Sequence, residues 1–357
     1  MQFHIPYLKM FADMGWETSV AAGNDFTDPS ECSIPYCDKY YDVPFERSPF
    51  KTSNIKAYRQ LKAIIDNGGF DIVHCHTPVG GFLCRLAARK ARKKGTKVIY
   101  TAHGFHFYKG APLKNWILYY PAEKFCSRFT DVLITINKED HALAQSKMHA
   151  KRAVYVPGVG IDTDKFTCAQ ADRAAKRKEI GVPENAFVIL SVGELNKNKN
   201  HRIVVQAVSE ISDSNIHCVI VGQGKLNDYL NRLAADLNVS DRVHFIGYRN
   251  DMAELYKMSD LFCFPSVREG LPVALMEAMA CGLPVVCSKI RGNTDLIEDG
   301  AGGYLVGSND LSALTEAIVK IYKDPSAAVK MGQKNLEAVR GYDLDTVIEL
   351  MKKIYEV

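Results

Sequence analysis

The chain has 357 residues, which is too long for one ordinary hydrophobic core, so we expect two domains. Its composition, 47% hydrophobic and 24% charged, is normal for a soluble globular protein. The formal net charge of +4 is too small to favour a nucleic-acid-binding protein, but it is compatible with an anionic small ligand or an anionic membrane surface.

The ten cysteines are scattered and include no C-x-x-C pair. Several, such as Cys75, Cys218 and Cys263, lie in apolar runs, which is typical of reduced core cysteines in a cytosolic protein. The sequence contains no apolar run long enough to span a membrane and no recognisable signal peptide. We therefore expect a cytoplasmic protein, with any membrane contact peripheral and at the inner face.

The first 25 residues predict a helix, a turn at Gly15 and then a strand. A doubly wound domain normally begins with a strand and a glycine-containing loop before its first helix, and both features are missing here. We expect a misassigned start or a truncated chain, because a sheet without its central strand would expose apolar surface and unpaired strand edges.

Short β-type runs then alternate with helical patterns along the rest of the chain. We predict strands within 70–76, 96–104 and 130–137, and a second series within 186–193, 216–224, 242–248, 260–266 and 283–288. Such alternation predicts parallel, doubly wound α/β sheets, and two series predict two Rossmann-like domains. Turn residues at Pro157 and Gly158 set the expected domains at 1–157 and 158–341. An amphipathic helix at about 342–357 is expected to pack back on the first domain.

Two acidic residues, Glu269 and Glu277, lie on either side of a turn and an apolar helical run. Because the preceding strand ends at Ser266, this turn lies where open α/β sheets bind ligands. Gly270 permits close backbone approach, and the start of the following helix suits a phosphate. Glu277 is costly among apolar neighbours unless it is paired, and the hydroxyls of a ribose would pair it. The alternative is that Glu277 lies on a solvated stripe and Glu269 is an ordinary loop acid.

The pattern E-x7-E followed by A-x-A-C-G-x-P-V-V, after a strand ending F-P-S, resembles the signature of retaining glycosyltransferase family 4, of GT-B architecture. The resemblance covers nearly the whole chain and is strongest over 187–306. It implies two domains facing a cleft, a nucleotide-sugar donor, retention of anomeric configuration, and neither a metal nor a cofactor. It also implies that Glu269 contacts the donor sugar, Glu277 the ribose, and the amides of Gly270 and Leu271 the diphosphate.

A polar loop follows Gly193, and the family pattern there resembles G-R-L-x-x-x-K-G. Lys199 matches the lysine that stabilises the departing diphosphate. Glu194 stands at the arginine position and Asn200 at the final glycine. Because an acid would repel phosphate, Lys197 is a candidate second cation at the donor site. A solvated basic loop is the alternative.

The segment 243–252 resembles the family loop that packs against the nucleobase, with the backbone groups of Tyr248 and Arg249 nearest the base. An ordinary surface loop is the alternative for these two side chains. Gly222 and Gly224, which follow a predicted strand, form a weak Gly-x-Gly motif. The alternative is that these glycines only form a turn of the chain.

In the first domain, His103 lies in a T-A-H-G motif, which the resemblance places near the donor sugar. His106 and His76 are candidates for lining the acceptor site, or for a structural role. A zinc site would need third and fourth ligands at suitable spacing, and none is evident. The D-x-D metal motif of the other glycosyltransferase architecture is also missing.

The helical segment 82–94 carries six cationic residues, including Arg85 and Arg89, and predicts either a face for anionic lipids or a solvated face. Members of the family often glycosylate lipid-linked acceptors at the membrane surface. The segment 115–125 would then supply aromatic contacts to such an acceptor, although a buried helix is equally compatible with it.

These motifs together predict a glycosyltransferase that moves a sugar from a nucleotide-diphosphate donor to an acceptor hydroxyl in capsular or exopolysaccharide synthesis. We expect the donor to be a UDP-sugar. Two alternatives stay open. One is a nucleotide-sugar 2-epimerase of the same architecture, which the intact E-x7-E segment argues against. The other is a non-catalytic scaffold, which Glu194 and the missing first strand would suit.

Overall fold

The computed structural model of the protein describes residues 4–24, 33–46 and 48–356. The chain forms two compact units, one of Met1–Val159 with Asp345–Val357 and one of Gly160–Leu344. The division follows residue 159, whereas the sequence predicted it after residue 157.

The described residues of the first unit form six strands, each parallel to its neighbours, and the helices that connect them. In chain order its elements are α1 Ile5–Asp13, β1 Ser19–Ala22, β2 Lys39–Asp42, α2 Ser53–Gly68, β3 Ile72–His76, α3 Pro78–Ala87, α4 Arg89–Lys93, β4 Lys97–Ala102, α5 Leu113–Ser127, β5 Val132–Thr135, α6 Lys138–Lys147, β6 Arg152–Tyr155 and the C-terminal helix α16 Leu344–Tyr355.

The strands of this unit lie in two separate sheets, a four-stranded sheet in the order β3-β4-β5-β6 and a two-stranded sheet of β1 and β2. The apolar residues of β4 and β5 are buried because helices cover both faces of a parallel sheet. Met351, Ile354 and Tyr355 of α16 pack in one core cluster with Ile99 of β4 and with residues of β5 and α1.

The second unit, residues 160–344, forms a complete doubly wound sheet. Its elements are α7 Thr163–Thr167, α8 Arg173–Glu179, β7 Phe187–Val192, α9 His201–Glu210, β8 Ile216–Val221, α10 Asn227–Asp236, β9 Val243–Phe245, α11 Met252–Met258, β10 Leu261–Phe264, α12 Val273–Ala280, β11 Val285–Ser288, α13 Asn293–Leu296, β12 Gly303–Val306, α14 Leu311–Lys323 and α15 Pro325–Val339.

The six strands of the second unit are all parallel, in the order β12-β11-β10-β7-β8-β9. Every residue of β8, β10 and β11 is buried, as expected where helices cover both faces. The order reverses between β7 and β10, so the carboxyl ends of these two strands meet at a topological switch point, where this class of sheet binds ligands. The predicted α/β class with parallel, doubly wound sheets is confirmed.

At the beginning of the chain the described residues form a helix, a left-handed turn at Gly15 and a strand, as the sequence predicted. In the sheets formed by the described residues, β1 pairs with β2 alone and β3 pairs with β4 alone.

The basic face predicted over 82–94 is wrong in one respect. Arg85 is fully buried rather than exposed, and its guanidinium pairs with Glu123 of α5 at 2.5 and 3.0 Å. The guanidinium carbon also lies 3.9 Å from the centroid of the Tyr100 ring. Helices α3 and α4 divide this segment at Ala88, and Arg89 and Lys90 are exposed.

The longest described helix, α2, has 16 residues, fewer than the roughly 20 that cross a bilayer. Within the described residues, no helix combines the length and apolarity of a membrane span.

Candidate functional site

The candidate donor site lies in the second unit, at the carboxyl ends of β7 and β10. The loop after β7 and the loop after β8 touch through their backbones. A Cβ atom on Gly222 would lie 2.0 Å from the carbonyl oxygen of Gly193, and one on Gly224 would lie 2.5 Å from that of Leu195. The Gly-x-Gly motif is therefore structural support for the loop that carries Gly193.

The loop from 194 to 200 is held in a fixed conformation by asparagine side chains. The Asn196 Oδ1 atom accepts hydrogen bonds from the amides of Asn198 and Lys199, each at 2.9 Å. Asn200 has a left-handed backbone, with φ 55°, and its Nδ2 donates to the Ser308 carbonyl at 2.7 Å. Asparagine adopts this conformation more readily than most residues, which explains why it replaces the glycine of the family pattern.

Lys199 and Glu269 form an ion pair that joins the two loops of the site. The Lys199 Nζ lies 2.7 Å from a carboxylate oxygen of Glu269, and both side chains are largely buried. The ammonium also lies 4.7 Å from the centroid of the Phe264 ring. A Cβ atom on Gly193 would come within 2.9 Å of the Lys199 stem, so glycine is needed where the lysine passes.

The loop before α12 is fixed from two sides. On one side, the amide of Val267 donates to the Asn198 carbonyl at 2.8 Å, and the Asn198 side chain donates to the Arg268 carbonyl at 3.0 Å. On the other side, Arg291 donates through Nε to the Glu269 carbonyl at 3.2 Å. These bonds hold the backbone of this loop close to Lys199.

The amides of Gly270 and Leu271 precede α12, whose N-cap residue is Pro272. Among the described residues, neither amide meets a hydrogen-bond acceptor. A Cβ atom on Gly292, whose φ is +79°, would lie 2.3 Å from the Gly270 carbonyl, so this contact permits no side chain. Together with the first turn of α12, these amides form a donor-rich edge suited to an anion.

Glu277 lies one turn inside α12 and is half-buried. The hydroxyl of Tyr256, which is fully buried on α11, lies 3.0 Å from Glu277 Oε2 and from the Ala274 carbonyl. Burial raises the pKa of Glu277, while the Tyr256 hydrogen bond and Lys165 lower it. The solvated-stripe alternative for Glu277 therefore does not describe this carboxyl group.

The remaining predicted donor-site residues are Tyr248, Arg249 and Lys197. Tyr248 is 64% exposed, and Glu194 and Lys197 are exposed on the loop that carries Lys199. The Arg249 guanidinium is bound to Asp251 and, at 2.6 Å, to Glu179, and these two carboxylates raise the pKa of Arg249. A nucleobase at this loop would thus meet backbone groups and the Tyr248 ring rather than a free guanidinium.

His103 belongs to the first unit, on an exposed loop after β4. Its Nε2 lies 3.1 Å from Nδ1 of His76, at the end of β3. Although His103 is exposed, desolvation of its ring by the neighbouring groups lowers its pKa, and His4 adds to the effect. Burial also lowers the pKa of His76, so both rings are neutral near pH 7 and one donates its N–H to the other. Within the described residues, no group of three candidate ligands is placed to hold a metal.

Three residues of the second-unit site were missed by sequence reasoning: Tyr256, Arg291 and His201. His201 is buried and connects the Gly193 carbonyl, at 3.3 Å, with the Ser191 hydroxyl, at 3.0 Å. Since Nε2 faces a carbonyl, it carries the proton, and Nδ1 accepts from Ser191. None of the three residues was singled out by a motif. The available signal was that each is a polar residue close to an apolar run.

The chain matches two family models that together cover most of its length. Residues 7–165 match "Glycosyltransferase Family 4" and residues 172–337 match "Glycosyl transferases group 1". The fold and site thus define a glycosyltransferase of GT-B architecture.

Two relatives agree with this class. One is a Bacillus subtilis (strain 168) protein that is named as the glycosyltransferase EpsD. It is 40% identical over 357 residues, and the match covers 99% of this chain and 92% of the relative. The Escherichia coli UDP-Gal:alpha-D-GlcNAc-diphosphoundecaprenol alpha-1,3-galactosyltransferase is 30% identical, covering 86% and 82%. The chain therefore belongs to glycosyltransferase family 4.

Solved structures show the same fold. The Anabaena protein Alr3699/HepE, in complex with UDP, matches with a TM-score of 0.79 at 20% identity. The match covers 99% of this chain and 93% of the HepE chain. WaaG, a glycosyltransferase involved in lipopolysaccharide biosynthesis, has a TM-score of 0.77 at 20% identity and covers 99% and 95%.

Proposed function

We propose that this protein transfers a sugar from a UDP-sugar to an acceptor hydroxyl, with retention of anomeric configuration, in the synthesis of a cell-surface polysaccharide. The observation that carries the proposal is the Lys199–Glu269 ion pair, which lies next to the amides of Gly270 and Leu271. A cation, an anion and open amides in one place suit a ligand that has both a diphosphate and a sugar.

In the proposed complex, Glu277 and Tyr256 bind the ribose. Tyr256 donates to one carboxylate oxygen of Glu277, which leaves the other oxygen to accept from a ribose hydroxyl. Uracil would pack on the backbone of Tyr248 and Arg249. UDP is our choice of nucleotide because the HepE complex contains UDP and the Escherichia coli relative is named for UDP-Gal.

The proposed chemistry uses the charges of the site in sequence. The diphosphate binds at the start of α12 and draws Lys199 away from Glu269. Lys197 is the second cation that binds the diphosphate. Glu269 is then free to accept hydrogen bonds from sugar hydroxyls. The bond from the anomeric carbon to the β-phosphate oxygen breaks as the acceptor oxygen bonds to the same face. The acceptor proton passes to the departing phosphate oxygen, whose charge Lys199 and the helix amides stabilise.

The first unit contributes the residues proposed to act on the sugar and acceptor. The resemblance implies that His103 orients donor hydroxyls, and a neutral imidazole held by His76 is suited to that task. His106, whose ring lies 4.6 Å from that of Tyr119, is proposed to support the acceptor pocket.

The acceptor is proposed to be a lipid-linked sugar at a membrane surface, and α5 supports this. Leu113, Ile117, Pro121 and Phe125 form a stripe along that helix, and all four are exposed. We call these four residues the α5 stripe. Lys114 and Arg128 lie exposed beside it, and the acid of this helix, Glu123, is buried in its pair with Arg85. An apolar stripe flanked by cations favours contact with an anionic bilayer.

A thermal-shift screen of UDP-, GDP- and ADP-sugars tests the donor, and NMR of the product tests the stereochemistry. We expect stabilisation by UDP-sugars and a product with the donor's anomeric configuration. An inverted product would refute retention. UDP-GlcNAc epimerised without acceptor would instead favour the 2-epimerase, and failure of every nucleotide to bind would favour the scaffold.

A further inference from the structure

Four charged residues of the second unit form a closed ring beside the loop that is proposed to meet the nucleobase. Lys176 and Glu179 belong to α8, and Arg249 and Asp251 belong to the loop between β9 and α11. We call these four residues the charge ring. Its four sides are ion pairs of 2.9, 2.8, 2.6 and 2.5 Å. Isolated surface ion pairs contribute little to stability, but a network in which every charge has two partners fixes the positions of its members.

The loop stretch 248–250 is joined to the rest of the unit through this ring. Just before it, the Gly247 carbonyl accepts a hydrogen bond from the Gly222 amide at 2.8 Å. Among the described residues, no backbone group of 248–250 makes a hydrogen bond, and the side chains on either side of Arg249 are exposed. The Arg249 guanidinium, bonded to two carboxylates of the ring, is therefore the contact that sets the conformation of this stretch.

Asp251 connects the loop with α8 at the expense of a helix cap. It is the N-cap residue of α11, where an aspartate normally accepts from amides of the first turn. In the described part of the chain its side chain makes no such bond. Instead, Oδ1 accepts from Arg249 Nε at 2.8 Å and Oδ2 accepts from Lys176 Nζ at 2.8 Å. The carboxylate thus serves the charge ring and not the helix.

Helix α8 is attached to the sheet independently of the charge ring. Arg177, which is 5% exposed, donates to the carbonyls of Met258 and Ala186 at 2.9 Å each. Arg173 and Arg177 also form ion pairs with Asp260, at 2.6 and 2.8 Å. Because these contacts do not involve the charge ring, α8 is a fixed support from which the ring reaches the loop.

The open backbone of 248–250 suits the edge of a pyrimidine. Uracil presents an N–H donor beside a carbonyl acceptor, and cytosine presents the two in the reverse order. A backbone held in one position matches one of these orders, whereas a loop that moves can adapt to both. We propose that Lys176 and Glu179 are positioning residues for the nucleobase. Through Arg249 and Asp251 they fix the backbone of 248–250, and this fixed backbone selects uracil. The role rests on the proposed UDP site.

Calorimetric titration of UDP and CDP into the full chain tests this role. Lys176→Met removes the ammonium from the ring, and Lys176→Arg keeps a cation there. Lys178→Met, which changes an exposed lysine of the same helix, is the matched control. Glu179→Gln changes an exposed member of the ring and leaves the anchors of α8 in place. Lys199→Met is a further comparison, because it acts on the diphosphate that UDP and CDP share.

We expect Lys176→Met to lower the ratio of UDP affinity to CDP affinity at least about fivefold, because a loop that moves no longer rejects cytosine. Glu179→Gln should lower the ratio by less, and Lys176→Arg and Lys178→Met should leave it unchanged. Lys199→Met should weaken binding of UDP and CDP equally. With a UDP-sugar, Lys176→Met should raise KM and leave kcat unchanged, as expected for a residue that acts only on binding.

An unchanged ratio in both Lys176→Met and Glu179→Gln would overturn this inference and leave the UDP site in place. An equal fall in Lys178→Met would also overturn it, since the effect would then not belong to the ring. Binding of UDP by the unsubstituted protein without preference over CDP would overturn this inference alone. Failure of that protein to bind UDP at all would overturn the proposed function with it.

Discussion

At the residue scale, the candidate site is built around a carboxyl group that the fold makes costly. Glu277 is half-buried on an otherwise apolar helix, and its described hydrogen-bond donor is the Tyr256 hydroxyl. Such a buried carboxylate adds little to the stability of the ligand-free protein, whereas it offers a bound nucleotide a strong hydrogen-bond acceptor. The conflict between stability and binding leads to two opposite expectations for one substitution.

Replacing the Glu277 carboxyl with an amide, Glu277→Gln, should raise the Tm of the ligand-free protein at pH 7.5. Burial raises the pKa of Glu277 in the folded state, so its protonated form is favoured there and stability is lost as pH rises through that pKa. The gain from Glu277→Gln should therefore disappear below about pH 4, where the carboxyl is protonated in both states. Glu337→Gln, on an exposed part of α15, is the control, and an equal gain there would contradict the assignment.

The same Glu277→Gln variant should bind UDP about 10- to 150-fold more weakly, because a charge-assisted hydrogen bond contributes about 1.5–3 kcal/mol. Calorimetric titration measures this directly. Unchanged affinity would remove Glu277 from the ribose site.

The two lysines of the loop after β7 should differ in their effect on turnover. Lys199→Met keeps the stem that passes Gly193 but removes the ammonium, and we expect kcat to fall about 100- to 1,000-fold. Lys197, which is exposed, should matter less, so Lys197→Met should cost no more than about tenfold. Comparable losses in steady-state kinetics with a UDP-sugar would show that neither lysine holds the leaving group specifically.

At the scale of elements, α3 and α5 are joined by a buried ion pair. Arg85 donates twice to Glu123, and its guanidinium also stacks on Tyr100. Because α5 carries the exposed stripe on its opposite side, this pair fixes how the stripe is presented.

Arg85→Met should destabilise the protein by about 3–5 kcal/mol, since it leaves the Glu123 carboxylate buried without its partner. The double variant Arg85→Met/Glu123→Gln should recover most of this loss in urea unfolding. Lys9→Met, which breaks an exposed pair with Asp13, should have no measurable effect. Equal losses for the single and double variants would mean that packing of the arginine stem, and not the charge, is what stabilises the contact.

The α5 stripe should bind anionic vesicles. Leu113 is 73% exposed, Ile117 68% and Phe125 45%, and an exposed apolar side chain gains about 1.5–3 kcal/mol when buried. Ile117→Glu with Phe125→Glu should therefore lower vesicle binding at least about tenfold in co-sedimentation. Val329→Glu, equally exposed at 74% but on α15, should not. Donor binding should be unchanged in both, and equal vesicle binding would refute the membrane role.

Most elements could be predicted from the sequence because their apolar periods are unambiguous. The predicted helix after Pro272 is α12, and the five strands predicted in the second unit are β7 to β11. Arg85 shows the limit of this reasoning. A run of cations looks solvated, and the acid that buries Arg85 lies 38 residues away along the chain. Tyr256 and Arg291 were not predicted for the same reason, since each reaches the site through tertiary contacts that no local sequence pattern encodes.

At the scale of the whole molecule, the two units differ in how their strands are joined into sheets. In the second unit all six strands form one sheet, and the candidate donor site lies at the carboxyl ends of β7 and β10. Among the described residues of the first unit, β1 and β2 form one sheet and β3 to β6 form another, and the pair of His76 and His103 follows β3 and β4. The proposed donor-binding residues therefore belong to the larger sheet, and the histidine pair belongs to the four-stranded one.

A crystal of the protein soaked with UDP tests the central claim most directly. We predict density for the ribose beside the Glu277 carboxyl group and for the diphosphate at the amides of Gly270 and Leu271, with the Lys199 ammonium turned from Glu269 towards phosphate. Nucleotide density at any other place in the second unit, or a Lys199–Glu269 pair unchanged beside a bound diphosphate, would contradict it.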